Sequence, residues 1–254
     1  MTNNMRLVAI GGGNPASNCS MHVNTALDMT GKQRPRVLYI PTPKRTQDAY
    51  DLAIYNFTEL YERKSGLNVE VLHPFDKRPS IKRTCRLMQW ADMIYISGGD
   101  TRHAVRIWVE SGISAILSQR VCAGTVVACG ISAGALAWFT GGCSDSDSYD
   151  VDSNQPWQYC EVEALGLFNS LACPHYNTLH PQTKERRSSA FAQMLFTREQ
   201  NYIGWGIDNH AALQVIGRTA KVLSAKDNFV HRLTRTKRGI RNAILTPSCG
   251  TFTI

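Results

Sequence analysis

Short apolar runs rich in β-branched residues recur along the chain, separated by segments in which apolar positions repeat at helical spacing. Residues 6–10, 36–40, 68–72, 92–96, 125–129 and 171–173 are nearly continuous apolar runs, the pattern of strands buried on both faces. Between them, Ala49, Leu52, Ala53, Phe57, Leu60 and Tyr61 recur at three and four, which predicts an amphipathic helix. Ala104, Val105, Trp108 and Val109 repeat that spacing after Thr101, and Ala190, Phe191, Met194 and Leu195 do so after a basic cluster at 184–187. Strand alternating with helix implies right-handed crossovers and a mostly parallel sheet with helices on both faces, a three-layer α/β/α arrangement. Beyond residue 200 the pattern changes. Residues 202–207, 211–216, 221–225 and 229–233 read as strands joined by short turns, which predicts antiparallel strands added at a sheet edge. No internal repeat, low-complexity stretch or linker interrupts the chain, so a single domain over 1–254 is expected.

Composition narrows the function classes. The 254 residues are 43% apolar and 19% charged, an ordinary globular mixture. No apolar run approaches the roughly 18 residues a membrane span needs. The apolar stretch 7–10 near the N-terminus is too short for a secretory signal, so a cytoplasmic protein without a membrane partner is expected. The eight cysteines show no Cys-x-x-Cys spacing, which argues against a zinc knuckle or a thioredoxin-like site. Cys122, Cys129 and Cys173 lie in apolar runs, where a reduced thiol behaves as a small hydrophobe.

The net charge of +8 is unevenly spread. Between 121 and 183 there is no Lys or Arg, whereas 218–241 holds eight basic residues against Asp227 alone. The basic tail reads as a solvated face or as attraction for an acidic substrate. It lacks the interleaved aromatics of a nucleic-acid surface, so nucleic acid is not an expected partner.

In parallel sheets ligands bind where strands end at their carboxyl edge. Gly11-Gly12-Gly13-Asn14 follows the first strand but lacks Gly-x-Gly-x-x-Gly spacing, so its glycines read as a tight turn or close backbone approach. Ser97-Gly98-Gly99-Asp100-Thr101 joins a strand to a helix; Asp100 or Thr101 can cap that helix, and the glycines can turn N–H groups into a cleft as an oxyanion site. Most specific is Gly130-Ile131-Ser132-Ala133-Gly134, between a strand and a helix expected to include 135–139. Gly-x-Ser-x-Gly in that context is a nucleophile elbow. A serine nucleophile needs a base, and of the seven histidines His175 directly follows the strand at 171–173, in Cys173-Pro174-His175-Tyr176.

Gly98-Gly99-Asp100-Thr101, the Ser132 elbow, Pro174-His175-Tyr176 and Gly206-Ile207-Asp208-Asn209, in this order, resemble the peptidase E family of serine aspartyl dipeptidases, to which the cyanophycinases are related. The resemblance runs from Gly11 to about Val215. It implies a flavodoxin-like fold of the class I glutamine amidotransferase type, with serine at the elbow where those enzymes use cysteine. It makes Ser132 the nucleophile and His175 the general base, with Gly98, Gly99 and the N–H of Ala133 as the oxyanion hole. It implies neither metal nor organic cofactor, and a short peptide with an N-terminal aspartate as substrate.

One position departs from the family pattern. Where the family has a glutamate that orients the histidine, this chain has Asn209 preceded by Asp208, so both are candidates for the third member, with Asp147 or Asp145 next. An amide can hold the tautomer of a histidine but stabilises the imidazolium less than a carboxylate. The Asp145-x-Asp147 run fails the calcium-loop template at the positions that follow it. For substrate binding, Arg186 and Arg187 stand where the family carries a basic cluster, and Asp147 can meet the substrate ammonium. Two other readings are a cyanophycinase-like hydrolase of an aspartate-rich polymer and a non-catalytic small-molecule-binding protein on the same fold. A monomer and a homodimer both fit the sequence.

Overall fold

The first apolar runs fold as β1 (Arg6–Ile10), β2 (Arg36–Ile40), β3 (Asn68–Val71), β4 (Met93–Ile96) and β5 (Val127–Ile131). This is a computed structural model, and it describes residues 4–14, 20–73, 80–151, 154–224 and 227–254. Helices connect the strands: α1 (Ser20–Asp28), α2 (Gln47–Thr58), α3 (Ile81–Trp90), α4 (Thr101–Glu110) and α5 (Ile113–Cys122). A π-helical segment, Glu59–Lys64, continues α2. The five strands are parallel, in the spatial order β1-β5-β4-β2-β3.

Alternation along each strand explains the layers. Val8 and Ile10 of β1 face a cluster with Val23 of α1 and Phe57 of α2. Leu7 and Ala9 face Leu87 of α3, Trp108 of α4 and Leu117 of α5. Side chains of period two thus feed two helical layers, and each fully buried aliphatic side chain contributes roughly 1.5–3 kcal/mol.

After β5 the chain makes one helical turn, α6 (Ala133–Leu136), and enters β6 (Phe139–Ser144). The helix expected to include 135–139 is therefore a single turn. Gly141 and Gly142 account for the change: a Cβ on either would overlap a backbone carbonyl, of Val162 and Ala172 respectively, so only glycine lets the neighbouring strands approach. The strands that follow are β7 (Cys160–Glu163), β8 (Phe168–Pro174), β9 (Ile203–Ile207), β10 (Ala211–Ile216), β11 (Thr219–Ser224), β12 (Val230–Thr236), β13 (Gly239–Leu245) and β14 (Phe252–Thr253), with α7 (Arg187–Phe196) between β8 and β9.

The expected antiparallel additions are present, since β10 pairs antiparallel with β1, and β11 and β14 extend that edge. Three strands differ from expectation, one of them β12, which is antiparallel as expected but pairs with β9 and not with the first sheet. β8 and β9 pair in parallel and belong to a second, six-stranded sheet of order β13-β12-β9-β8-β6-β7. Of the basic tail, Arg218, Lys221, Lys237, Arg238 and Arg241 are exposed, as a solvated face requires. Ala225, the last residue of one expected strand, and Cys19 lie outside the described residues. The described cysteines are free thiols, with Cys129 and Cys173 buried and Cys122 half-buried. No helix of the described residues is long and apolar enough to cross a membrane.

Register matters most for the site. Ile10 pairs with Ile131, and Ile96 pairs with Gly130. The loops after β1, β4 and β5 therefore leave the sheet side by side at its carboxyl edge.

Candidate active site

Ser132 follows directly on β5 with φ 57° and ψ −114°, a conformation that costs a non-glycine residue about 1–3 kcal/mol. The flanking glycines make the turn possible. A Cβ on Gly130 would overlap the carbonyl of Gly134, and one on Gly134 would overlap the carbonyl of Ile96. Ser132 N donates to Ile10 O at 2.9 Å, tying the elbow to β1. Ser132 lines a cavity of about 430 Å³, whose wall also includes Gly98, Gly99, Asp145, Tyr149 and His175.

Three candidate catalytic side chains meet there. Ser132 Oγ lies 2.8 Å from His175 Nε2, and His175 Nδ1 lies 2.6 Å from Asn209 Oδ1. An amide oxygen can only accept, so Nδ1 carries the proton and Nε2 keeps the lone pair that receives the serine O–H. Backbone bonds lock this arrangement: His175 N donates to Gly11 O at 3.0 Å, His210 N donates to Gly12 O at 2.9 Å, and Asn177 Oδ1 accepts from Asn209 N at 3.0 Å. His175 itself has φ 53°, so it too sits in a conformation imposed by its surroundings.

The glycines after β1 have the second role the sequence allowed them. A Cβ on Gly12 would overlap Asn209 Oδ1 and the imidazole of His175, so this glycine roofs the His–Asn pair. Sequence reasoning noted the glycines but not this contact, which no spacing rule encodes.

The other candidates are placed as follows. Asp208 is buried; its Oδ2 accepts from Phe229 N at 2.9 Å and its Oδ1 lies 3.6 Å from His231 Nε2, so the carboxylate is engaged with β12 and the residue before it while Asn209 meets His175. Asp147 pairs with Arg102 at 2.7 Å, and Asp145, not Asp147, lines the cavity. Arg186 is the exposed residue preceding α7. Arg187 is buried, donates to Cys143 O at 2.9 Å and lies 3.9 Å from Asp145. The cavity wall includes neither arginine. Arg187 is drawn inward because the first turn of α7 packs on β6, where a carbonyl meets its guanidinium. Asp100 caps α4 by accepting from His103 N at 3.1 Å. Gly98 and Gly99 lie between Ser97 and Asp100, whose N–H groups are bonded to Ile40 O and Pro43 O. A Cβ on Gly98 would sit 3.2 Å from Ser132 Cβ, which places this turn against Ser132. Ala133 opens α6, so its N–H is among those a helix leaves unpaired at its start.

Burial, and next the guanidinium of Arg187, hold His175 below the ordinary imidazole value; the Asn209 bond and Asp145 act the other way. The imidazole is therefore neutral, and able to accept a proton, at pH values below the usual 6.5 or so. Activity is lost only as pH falls through that depressed value. Asn209→Asp places a negative charge on the Nδ1 side and favours the imidazolium. The acid limb of kcat/KM is expected below pH ~6.5 for the native chain and about one unit or more higher for Asn209→Asp. A pH–rate profile of the two proteins checks this, and coincident limbs contradict it.

Known proteins share this arrangement of chain. The sequence profile of Peptidase family S51 matches residues 4–223. The chain belongs to peptidase family S51. Over 215 residues it is 30% identical to an uncharacterized peptidase, YgaJ, of Bacillus subtilis strain 168, covering 83% of each chain. The crystal structure of a peptidase from an acI-B1 Actinobacterium superposes with a TM-score of 0.72 at 17% identity, covering 100% of this chain and 99% of that one. A putative peptidase E protein from Listeria monocytogenes EGD-e superposes at 0.58 and 18% identity, covering 88% of this chain and 100% of that one. The family establishes the S51 chain as a peptidase, and the two structures establish its fold as that of the peptidase E type.

Proposed function

We propose that this S51 peptidase hydrolyses short peptides with an N-terminal aspartate through an acyl-enzyme on Ser132. The observation that carries the reading is the continuous chain of hydrogen bonds from Ser132 Oγ through His175 to Asn209, with Ser132 and His175 lining the cavity. His175 Nε2 takes the serine proton as Oγ attacks the carbonyl carbon next to the scissile bond. The N–H groups of Gly99 and Ala133 receive the oxyanion, with the Gly98 turn shaping that side of the cavity. The imidazolium then protonates the leaving amine, the C–N bond breaks, and the acyl group stays on Ser132. Water, deprotonated by the same nitrogen, releases the acid and restores the hydroxyl.

Asn209 holds the tautomer but brings no charge to the imidazolium, so acylation is expected to be slower than with a carboxylate at that position. A cavity of about 430 Å³ is sized for a small ligand and not for a folded chain. Asp145 in its wall offers a carboxylate to the N-terminal ammonium, and the net charge of +8 favours an acidic substrate. Hydrolysis of Asp-X, Glu-X and Ala-X dipeptides tests the substrate class. Turnover confined to Asp-X is expected. No turnover of any of the three by well-folded protein would contradict the dipeptidase reading and favour a larger acidic polymer.

A further inference from the structure

Beyond the catalytic residues, the Ser132 cavity has an aromatic wall. Tyr39 and Phe57 stack with centroids 4.1 Å apart, and Phe57 contacts Tyr61 and Tyr95 at 4.6 and 4.9 Å. Ala53, Asn56, Phe57, Leu60 and Tyr61 all line the cavity, so one face of α2 and its π-helical continuation forms that side. Such π-helical turns occur often at functional sites.

Lys44 is the one lysine or arginine among the described residues of this wall. Its neighbours of like charge are committed elsewhere: Arg45 to Asp150 at 2.5 Å, Arg102 to Asp147 and Arg187 to Cys143 O. Lys44 forms no ion pair with a described residue, and burial alone lowers the pKa of its ammonium. The loop that carries it is firmly held. Lys44 N donates to Pro41 O at 3.0 Å, Thr42 Oγ1 accepts from the buried Trp108 Nε1 at 3.0 Å, and Pro43 O accepts from Asp100 N at 2.8 Å. The last of these bonds ties the loop to the Gly98–Gly99 turn. A half-buried ammonium is unfavourable without a counter-anion, and low local dielectric strengthens the attraction to any anion that enters.

We propose that Lys44 determines specificity by holding a carboxylate of the bound peptide, while the aromatic wall packs against the apolar part of the same molecule. The inference rests on reading the Ser132 cavity as a peptide site. With Asp145 in the same wall, the cavity presents one cation and one anion to a zwitterionic ligand. The carboxylate can be the acidic side chain of the first residue or the terminus of the second, and the test separates them.

Calorimetric titration of Asp-Leu into Ser132→Ala protein, with and without Lys44→Met, is the experiment. Lys44→Met is expected to weaken Asp-Leu binding about 10- to 100-fold, the effect of losing one charge-assisted hydrogen bond. Thermal melts of both proteins, and Lys44→Gln as a second variant with the same expected loss, exclude a folding defect as the cause. If Asn-Leu binding is indifferent to Lys44→Met, the side-chain carboxylate is the partner; if Asp-Leu amide is the indifferent ligand, the terminal carboxylate is. Equal affinity of Asp-Leu for the proteins with and without Lys44, or no binding to either, overturns the proposal. Lys44-dependent binding of Asp-Leu that wild type never hydrolyses would remove the Asp-X dipeptidase reading and leave this one standing. Hydrolysis of Asp-Leu with affinity independent of Lys44 would do the reverse.

Discussion

Ser132→Ala is expected to lower kcat for the best dipeptide by at least about 10,000-fold, with the fold intact. In the proposed mechanism the hydroxyl oxygen is the atom that bonds to the substrate carbon. Removing Oγ leaves the cavity wall and the His175–Asn209 bond in place, so KM should change far less than kcat. His175→Ala is expected to cost a similar factor, because an unactivated serine is a poor nucleophile at neutral pH. The two losses should not multiply. A nucleophile and its base act as one unit, so the double variant should be about as slow as the worse single one. Steady-state kinetics with circular dichroism on all three variants checks this. Multiplicative losses would mean that Ser132 and His175 act in separate steps.

The second large effect is expected at a residue without chemistry of its own. Gly12→Ala puts a methyl group where Asn209 Oδ1 and the His175 ring now lie, so the pair must shift or the β1 loop must retreat. The loop is held by Gly11 N on Ala211 O at 3.0 Å and by the bonds that Gly11 O and Gly12 O accept from His175 and His210, so the side chains are the softer partner. Displacement of a base by about an ångström costs on the order of 100-fold in rate. We expect that loss in kcat with a small change in melting temperature. Gly12→Ala with wild-type kcat would show that the imidazole has more freedom than its packing implies.

The tight turn at Ser132 and its meeting with His175 were legible because they leave local marks: glycines where backbones must touch, a serine between them, a histidine at a strand end. The layers were legible because strand and helix periods differ. The choice between Asp208 and Asn209 was not, since a one-residue rotation of the turn after β9 exchanges them. What resolves it is a contact distant in sequence, the Phe229 N–H that Asp208 accepts. Arg187 misled for a related reason. A cation at a helix start reads as solvated or ligand-binding unless the Cys143 carbonyl beneath it is known.

The second sheet was illegible because alternation identifies a strand without naming its neighbour. The aromatic wall was hidden more thoroughly. Ala53, Phe57, Leu60 and Tyr61 have the spacing of a helix packed on a core, and the same face serves as cavity wall where the sheet edge leaves room.

The central claim is a covalent intermediate on Ser132. Reaction of the full-length protein with diisopropyl fluorophosphate, followed by peptide mass mapping, tests it most directly. One phosphoryl adduct is expected, on Ser132, formed as hydrolysis is lost and strongly slowed by His175→Ala. Hydrolysis that continues with Ser132 unmodified, or loss of activity with the adduct on another residue, would contradict it.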